Sequence, residues 1–307
     1  MIREEAFGDC RLYTLANDEL ELKVTDLGAT VVSLRYRGRE TVLGYDSPAL
    51  YREKGAYLGA AIGRYANRIG GAAFTLNGKR YELPANEGKN QLHGGPASFE
   101  ARRWQAEERD DALVFRLFSP DGDNGYPGNL NVSLRYSLDG AVLRLDFEAD
   151  SDADTVFAPT SHMYFDLSGR GRVLDARLWV NADAYLEVDA GLIPTGRLLP
   201  TEGDFAFDGL RLVERDYDHC FVLRGEHACA MEDGGVCMDV YTDLPAVQIY
   251  TGAFLPPPHA ANAGLAIEPE FYPDSPNRPE FPSTLLRAGE HFHRWAEYRF
   301  STEDARQ

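Results

Sequence analysis

Residues 134–150 read LRYSLDGAVLRLDFEAD. Leu134, Tyr136 and Leu138 alternate with polar residues. After Asp139-Gly140, Leu143, Leu145, Phe147 and Ala149 do the same. Alternation with a period of two is the mark of a strand with one face buried. An Asp-Gly pair between two such runs is a hairpin turn. The device recurs in FTLNGKRYEL (74–83), around Asn77-Gly78, and in CAMEDGGVCMDVYTD (229–243), around Gly234-Gly235. LELKVTDLGATVVSLRYRG (20–38) and HFHRWAEYRFS (291–301) alternate as well. These cues predict an all-β chain of large antiparallel sheets packed face to face. One short helix is expected in SPALYREKG (47–55), with Ser47 as N-cap and Pro48 in the first turn. No linker or shift in composition divides the chain, so residues 1–307 are read as a single domain.

Composition narrows the partners. The chain has 307 residues, 44% of them hydrophobic, and a formal net charge of -18. That balance disfavours nucleic acid and anionic membranes, which attract basic surfaces, and suits a neutral small molecule. MIREEAFGDC has no apolar core behind a basic start, and no apolar run is long enough to span a bilayer. The four cysteines, Cys10, Cys220, Cys229 and Cys237, lack metal or redox spacing. They are read as thiols of a cytoplasmic protein. Cys229 and Cys237 flank a turn and could face each other, but free thiols are the simpler reading.

Chemistry-bearing residues interrupt the hairpins. GRYANRIGG carries Arg64, Asn67 and Arg68; QLHGGPASF carries His93; APTSHMYFDL carries His162. DYDHCFVL carries Asp218, AVQIYTGAF carries Gln248 inside an apolar run, and GLAIEPEFYPDSPN carries Glu268 just before Pro269. Each has an ordinary reading alone: a strand-end glutamate in water, an imidazole bonded to a carbonyl, a turn cap. As a set, they place two histidines, an arginine, an amide and a carboxylate in loop-like or strand-end positions. Glu268, following Leu-Ala-Ile, is read as lying where a strand leaves the core; a charge there must be paired or used. Other motifs fail. DGDNGYPGNLNV starts like a calcium loop but has Tyr126 where the glycine belongs and Val132 at the closing acid. His291 and His293 share a strand face without a third ligand nearby. No Walker loop, GxGxxG or GxSxG occurs.

Eight collinear segments resemble the aldose 1-epimerases, the galactose mutarotase family. They are GRYANRIGGAAFTLNGKRYEL, NQLHGG, DGDNGYPGNLNVSLRYSL, PTSHMYFDLSG, YDHCF, VQIYTGAFL, EPEFYPDSPN and FPSTLLRAGEHFHRWAEYRF. The resemblance implies a β-supersandwich and an isomerase that interconverts α and β anomers of aldoses such as galactose and glucose. It implies Glu268 as general base, His162 as general acid and His93 as a second imidazole near the ring oxygen. Arg64, Asn67, Asp218 and Gln248 would hold sugar hydroxyls; residue type alone, apart from the resemblance, suggests aromatics such as Tyr164 or Trp104 for stacking on the sugar's C–H face. The resemblance implies no metal or other cofactor; with the acidic charge, no nucleic acid and no membrane is expected, and the chain is read as a monomer or homodimer. Two positions depart from the family pattern: Ser161 stands where Asn usually precedes the acid, and Glu270 where Gln often follows the base. Alternatives are a hexose-6-phosphate epimerase on the same fold, which needs a basic cluster for phosphate, and a non-catalytic sugar-binding protein.

Overall fold

A computed structural model describes residues 2–306, so the two ends of the 1–307 span lie outside the description. Half the chain is strand and 9% helix. The largest sheet has nine strands, all paired antiparallel. Its order is Gln105–Arg109, Ala112–Ser119, Leu130–Asp139, Val142–Ser151, His291–Thr302, Val236–Thr242, His227–Asp233, Arg177–Val180 and Arg211–Leu212. A six-stranded sheet follows the order Tyr164–Phe165, Leu265–Glu270, Ala246–Tyr250, Asp218–Leu223, Ala182–Val188 and Pro194–Pro200. Five strands between Arg3 and Glu40 form a third sheet. The expected architecture of large antiparallel sheets is what the chain adopts.

The hairpins explain why. Leu76 pairs with Lys79 across Asn77-Gly78, both at positive φ (52° and 77°), the geometry of a type I′ turn. Asp233 pairs with Val236 across Gly234-Gly235 in the same way. The 134–150 hairpin differs by one residue. Asp139 pairs with Val142, so the turn is Gly140-Ala141, and only Gly140 has positive φ, at 53°. Glycine takes the first turn position and Asp139 stays in the strand. The helix runs Pro48–Lys54, and Gly55 ends it in the left-handed conformation; the Ser47 side chain makes no cap hydrogen bond. Among the described residues no helix is long and apolar enough to cross a membrane.

One buried cluster fills the space between the sheets. It takes Leu22, Val24 and Leu34 from the first sheet, Phe115, Leu134, Leu145 and Met238 from the nine-stranded sheet, and Phe221, Val247, Ile249 and Ile267 from the six-stranded sheet. Trp104 belongs to this core and donates its indole N–H to the Phe99 carbonyl, so it is not a sugar platform. All four cysteines are buried thiols outside any disulfide. Cys229 pairs with Val240 and Cys237 with Glu232, so the two do not oppose each other. His293 is tied to Asp146, with Nε2 2.8 Å from Oδ1.

Candidate active site

The strand Leu265–Glu270 alternates. Leu265 and Ile267 enter the core, which turns Ala266, Glu268 and Glu270 to the other face. That face is also covered: Glu268 is 2% exposed and Glu270 0%. The strand therefore does not leave the core at Glu268; it continues through Pro269. Tyr164–Phe165 pairs only with Leu265 and Ala266, so Pro269 sits where that side of the strand has no ladder to break. On the other side, Glu268 pairs with Gln248 and Gln248 with Cys220, which sets three side chains in a row. The next row holds Asp218, Tyr250 and Ala266. Gln248 Nε2 donates to Asp218 Oδ1 at 2.6 Å.

His162 sits where the chain passes from Thr160–Ser161, paired to Ala61–Ile62, into Tyr164–Phe165. Its backbone is pinned by bonds to Ala60 O (3.0 Å) and from Gly59 N (2.8 Å). The ring lies against Tyr164, centroids 4.8 Å apart, and its Nε2 is 3.5 Å from Glu268 Oε2. Neither its Nδ1 nor the Ser161 hydroxyl has a hydrogen-bond partner, so Ser161 does not orient the ring through a bond.

His93 arrives on the turn after Gln91–Leu92, with its ring centroid 5.3 Å from that of His162. Its Nδ1 accepts the Asn67 backbone N–H at 3.1 Å, and the His93 backbone N–H donates to the Asn67 carbonyl O at 3.0 Å. Asn67 (φ 59°), His93 (φ 50°) and Tyr57 (φ 56°) all hold left-handed backbone, a concentration of strain typical of functional sites. Gly94, at φ 83°, is required there: a Cβ would stand 2.1 Å from the Gly63 carbonyl oxygen.

These residues line one cleft of about 420 Å³, within the usual range for small-molecule sites. Asn67, His93, His162, Tyr164, Asp218, Gln248 and Glu268 all border it. Arg64 does not. Its guanidinium is buried and spends its N–H groups on Ser119, Pro120, Pro127, Gly128 and Thr155, fastening the 119–128 loop. The expectation that Arg64 holds the sugar is therefore corrected. The guanidinium at the cleft is Arg68, which Glu87 grips through two bonds of 2.6 and 2.7 Å. Tyr57, Glu87, Leu192, Tyr250 and Phe254 also line it and were not singled out from the sequence. They stand on loops, turns, a bridge and a strand end, whose facing no local pattern encodes. Phe254, 88% exposed, marks the rim.

Burial dominates the electrostatics. It drives the Glu268 carboxyl well above the usual carboxylate range, and Glu270 and Asp218 push it further, while Arg68 opposes. Burial lowers His162 to about 4. His93 falls well below the ordinary imidazole value through burial and the neighbouring His162. Asp218 is raised, chiefly by burial. One ligand atom from each of His93, His162 and Glu268 lies within 4.8 Å of the others, a spacing that would admit a metal ion. The His93 bonding argues otherwise. With Nδ1 already accepting from Asn67, the neutral ring carries its proton on Nε2 and has no free lone pair for a metal. That Nε2–H is a hydrogen-bond donor for a substrate oxygen.

Comparison with known proteins fits this chemistry. Residues 11–299 match the family described as Aldose 1-epimerase. The chain is 37% identical to a galactose mutarotase from Mus musculus, covering 96% of this chain and 95% of that one. It is 38% identical to an aldose 1-epimerase from Escherichia coli (strain K12), covering 95% and 96%. Among solved structures, a galactose 1-epimerase from Lactobacillus acidophilus superposes with a TM-score of 0.89 at 28% identity, over 98% of each chain. An aldose epimerase homologue from C. elegans gives 0.91 at 28% identity, over 95% of this chain and 99% of that one. On a match of this length and identity, the chain belongs to the aldose 1-epimerase family.

Proposed function

We infer that the chain interconverts the α and β anomers of an aldohexose, with Glu268 and His162 as the acid–base pair. One observation carries the reading: a carboxyl and an imidazole 3.5 Å apart at a buried wall of a polar cleft. O1 and O5 of a cyclic sugar are bonded to the same carbon, so two groups this close can serve both. Glu268 takes the proton from O1, and His162 gives one to O5. The O1–H electrons become the carbonyl bond, and the C1–O5 electrons leave with O5. Rotation about C1–C2 exposes the other carbonyl face, O5 attacks it, and both protons return.

The pair holds one proton throughout. It begins as carboxylate and imidazolium and becomes carboxylic acid and neutral imidazole once the ring has opened. Burial favours the second form, because it penalises both charges. Moving that proton from Glu268 to His162 readies the site for a closed sugar. The Nε2–H of His93 is placed to stabilise charge growing on a sugar oxygen. Asp218, Gln248, Asn67 and Arg68 supply donors and acceptors for the other hydroxyls, while Tyr164, 3% exposed, backs the His162 ring and leaves little surface for a sugar.

Two features weigh against a phosphorylated sugar. Arg68 and Lys54 are the cleft's only cations among the described lining residues, and each is held by a glutamate, Glu87 and Glu53. Arg102 and Arg103 are bonded to Asp123 and Asp26, outside the cleft lining. Polarimetry on freshly dissolved α-galactose and α-glucose tests the reading. Acceleration over the spontaneous rate supports it; a rate equal to the blank refutes it. We also read the chain as one domain in the cytoplasm, supported by a core shared among three sheets and by four buried thiols.

A further inference from the structure

Glu270 lies two residues from the base on the same strand face, so its side chain points to the same side as that of Glu268. It is fully buried. Its Oε1 accepts the Asn67 side-chain N–H at 3.1 Å, and the same Asn67 holds Nδ1 of His93 through its backbone N–H. Its Oε2 has no hydrogen-bond partner. The titratable and charged groups around it are Glu268 on its own strand, Cys220 and Asp218 from Asp218–Leu223, Tyr65 from the segment before Asn67, and Arg68 beyond Asn67. Tyr272 packs beside Cys220, and His162 and His93 stand past Glu268.

The charge count does not balance if every acid is ionised. Asp218, Glu268 and Glu270 face one guanidinium, Arg68, which Glu87 already occupies. Like charges confined together keep a proton among them. Glu268 has an imidazole with which to exchange its proton. Glu270 has no imidazole: it is fully buried, its Oε2 lacks a bond in that dry setting and Asp218 lies near, and these favour the neutral acid against the pull of the Asn67 amide and the Cys220 thiol toward the anion.

Building on the mutarotase reading, we propose that Glu270 is a positioning residue that keeps its own proton at neutral pH and so leaves Glu268 free to ionise against His162. When Glu270 loses that proton to solvent, a fixed negative charge appears beside Glu268. Glu268 then holds its proton more tightly, and the carboxylate–imidazolium form needed for ring opening becomes scarce. Burial places this ionisation at about 8. Through Asn67, the same carboxyl also steadies the turn that carries His93.

The test is the pH profile of kcat/KM for wild type and Glu270→Gln, after subtraction of spontaneous mutarotation. Glutamine keeps the shape and the Asn67 contact but cannot ionise. Wild-type kcat/KM falls about tenfold between the plateau and one pH unit above the ionisation, and Glu270→Gln keeps its plateau through that range. Superimposed profiles, or a variant slowed equally at every pH, overturn the proposal. An inactive wild type sinks the mutarotase reading itself, a separate failure. Infrared spectroscopy of Glu268→Gln is a second measurement, independent of catalysis. It shows the C=O band of a protonated buried carboxyl at about pH 7 that fades by about pH 10. Absence of that band at neutral pH overturns the proposal.

Discussion

Replacing Glu268 by Gln removes the base while preserving its volume. General acid–base catalysis contributes about 10²–10⁴ per group, so the single change costs about 2.7–5.4 kcal/mol in transition-state stabilisation. His162→Asn costs a similar amount. The informative quantity is the double variant. Two independent catalysts would lose the product of their effects, about 10⁴–10⁸. Here the two atoms are 3.5 Å apart and pass one shared proton, so removing either partner disables the other. The double variant is therefore no more than about tenfold slower than the slower single one. Stability does not follow activity. Glu268 Oε2 makes no hydrogen bond beyond the 3.5 Å approach of His162 Nε2, so exchange for the isosteric amide leaves stability within about 1 kcal/mol of wild type. Polarimetry gives the rates and urea denaturation the stability. Multiplicative losses, or a Glu268→Gln rate within a few-fold of wild type, refute the shared-proton argument.

Arg64→Lys loses most of the bonds that fasten Ser119, Pro120, Pro127 and Gly128, and destabilises the fold by at least about 3 kcal/mol in urea titration; KM of the folded fraction stays unchanged. Arg68→Met does the reverse, with modest effect on stability and a raised KM. Arg68 lowers the carboxyls of Glu268, Asp218 and Glu270, so its removal raises their proton affinity, and the rising limb of kcat/KM against pH shifts upward. Gly94→Ala forces a Cβ against the Gly63 carbonyl at positive φ, costs about 2 kcal/mol or more in thermal melts, and reduces kcat by displacing His93.

The sheets were legible because hairpins are local: Asn77-Gly78 and Gly234-Gly235 turn where an Asn-Gly or Gly-Gly pair should. The 134–150 turn moved by one residue because glycine relieves strain best at the first turn position, a preference that outweighed the Asp-Gly signal. The catalytic set was legible as residue types in polar segments, and its convergence follows from register, since Gln248 stands opposite Glu268. The choice between Arg64 and Arg68 was not. Both lie in GRYANR, and a left-handed residue at Asn67 redirects the chain between them, which residue spacing does not reveal. Burial of Glu270 was equally hidden, because the layer covering that sheet face comes from segments distant in the chain.

The strand His291–Thr302 occupies the middle of the nine-stranded sheet, between Val142–Ser151 and Val236–Thr242. It is translated after every other strand of that sheet. Until it leaves the ribosome, both neighbours present bare backbone edges, the kind that stick to other chains. The sheet therefore closes by insertion at its centre rather than growth at its rim, and the nascent polypeptide is most in need of a chaperone in the interval before residues 291–302 emerge.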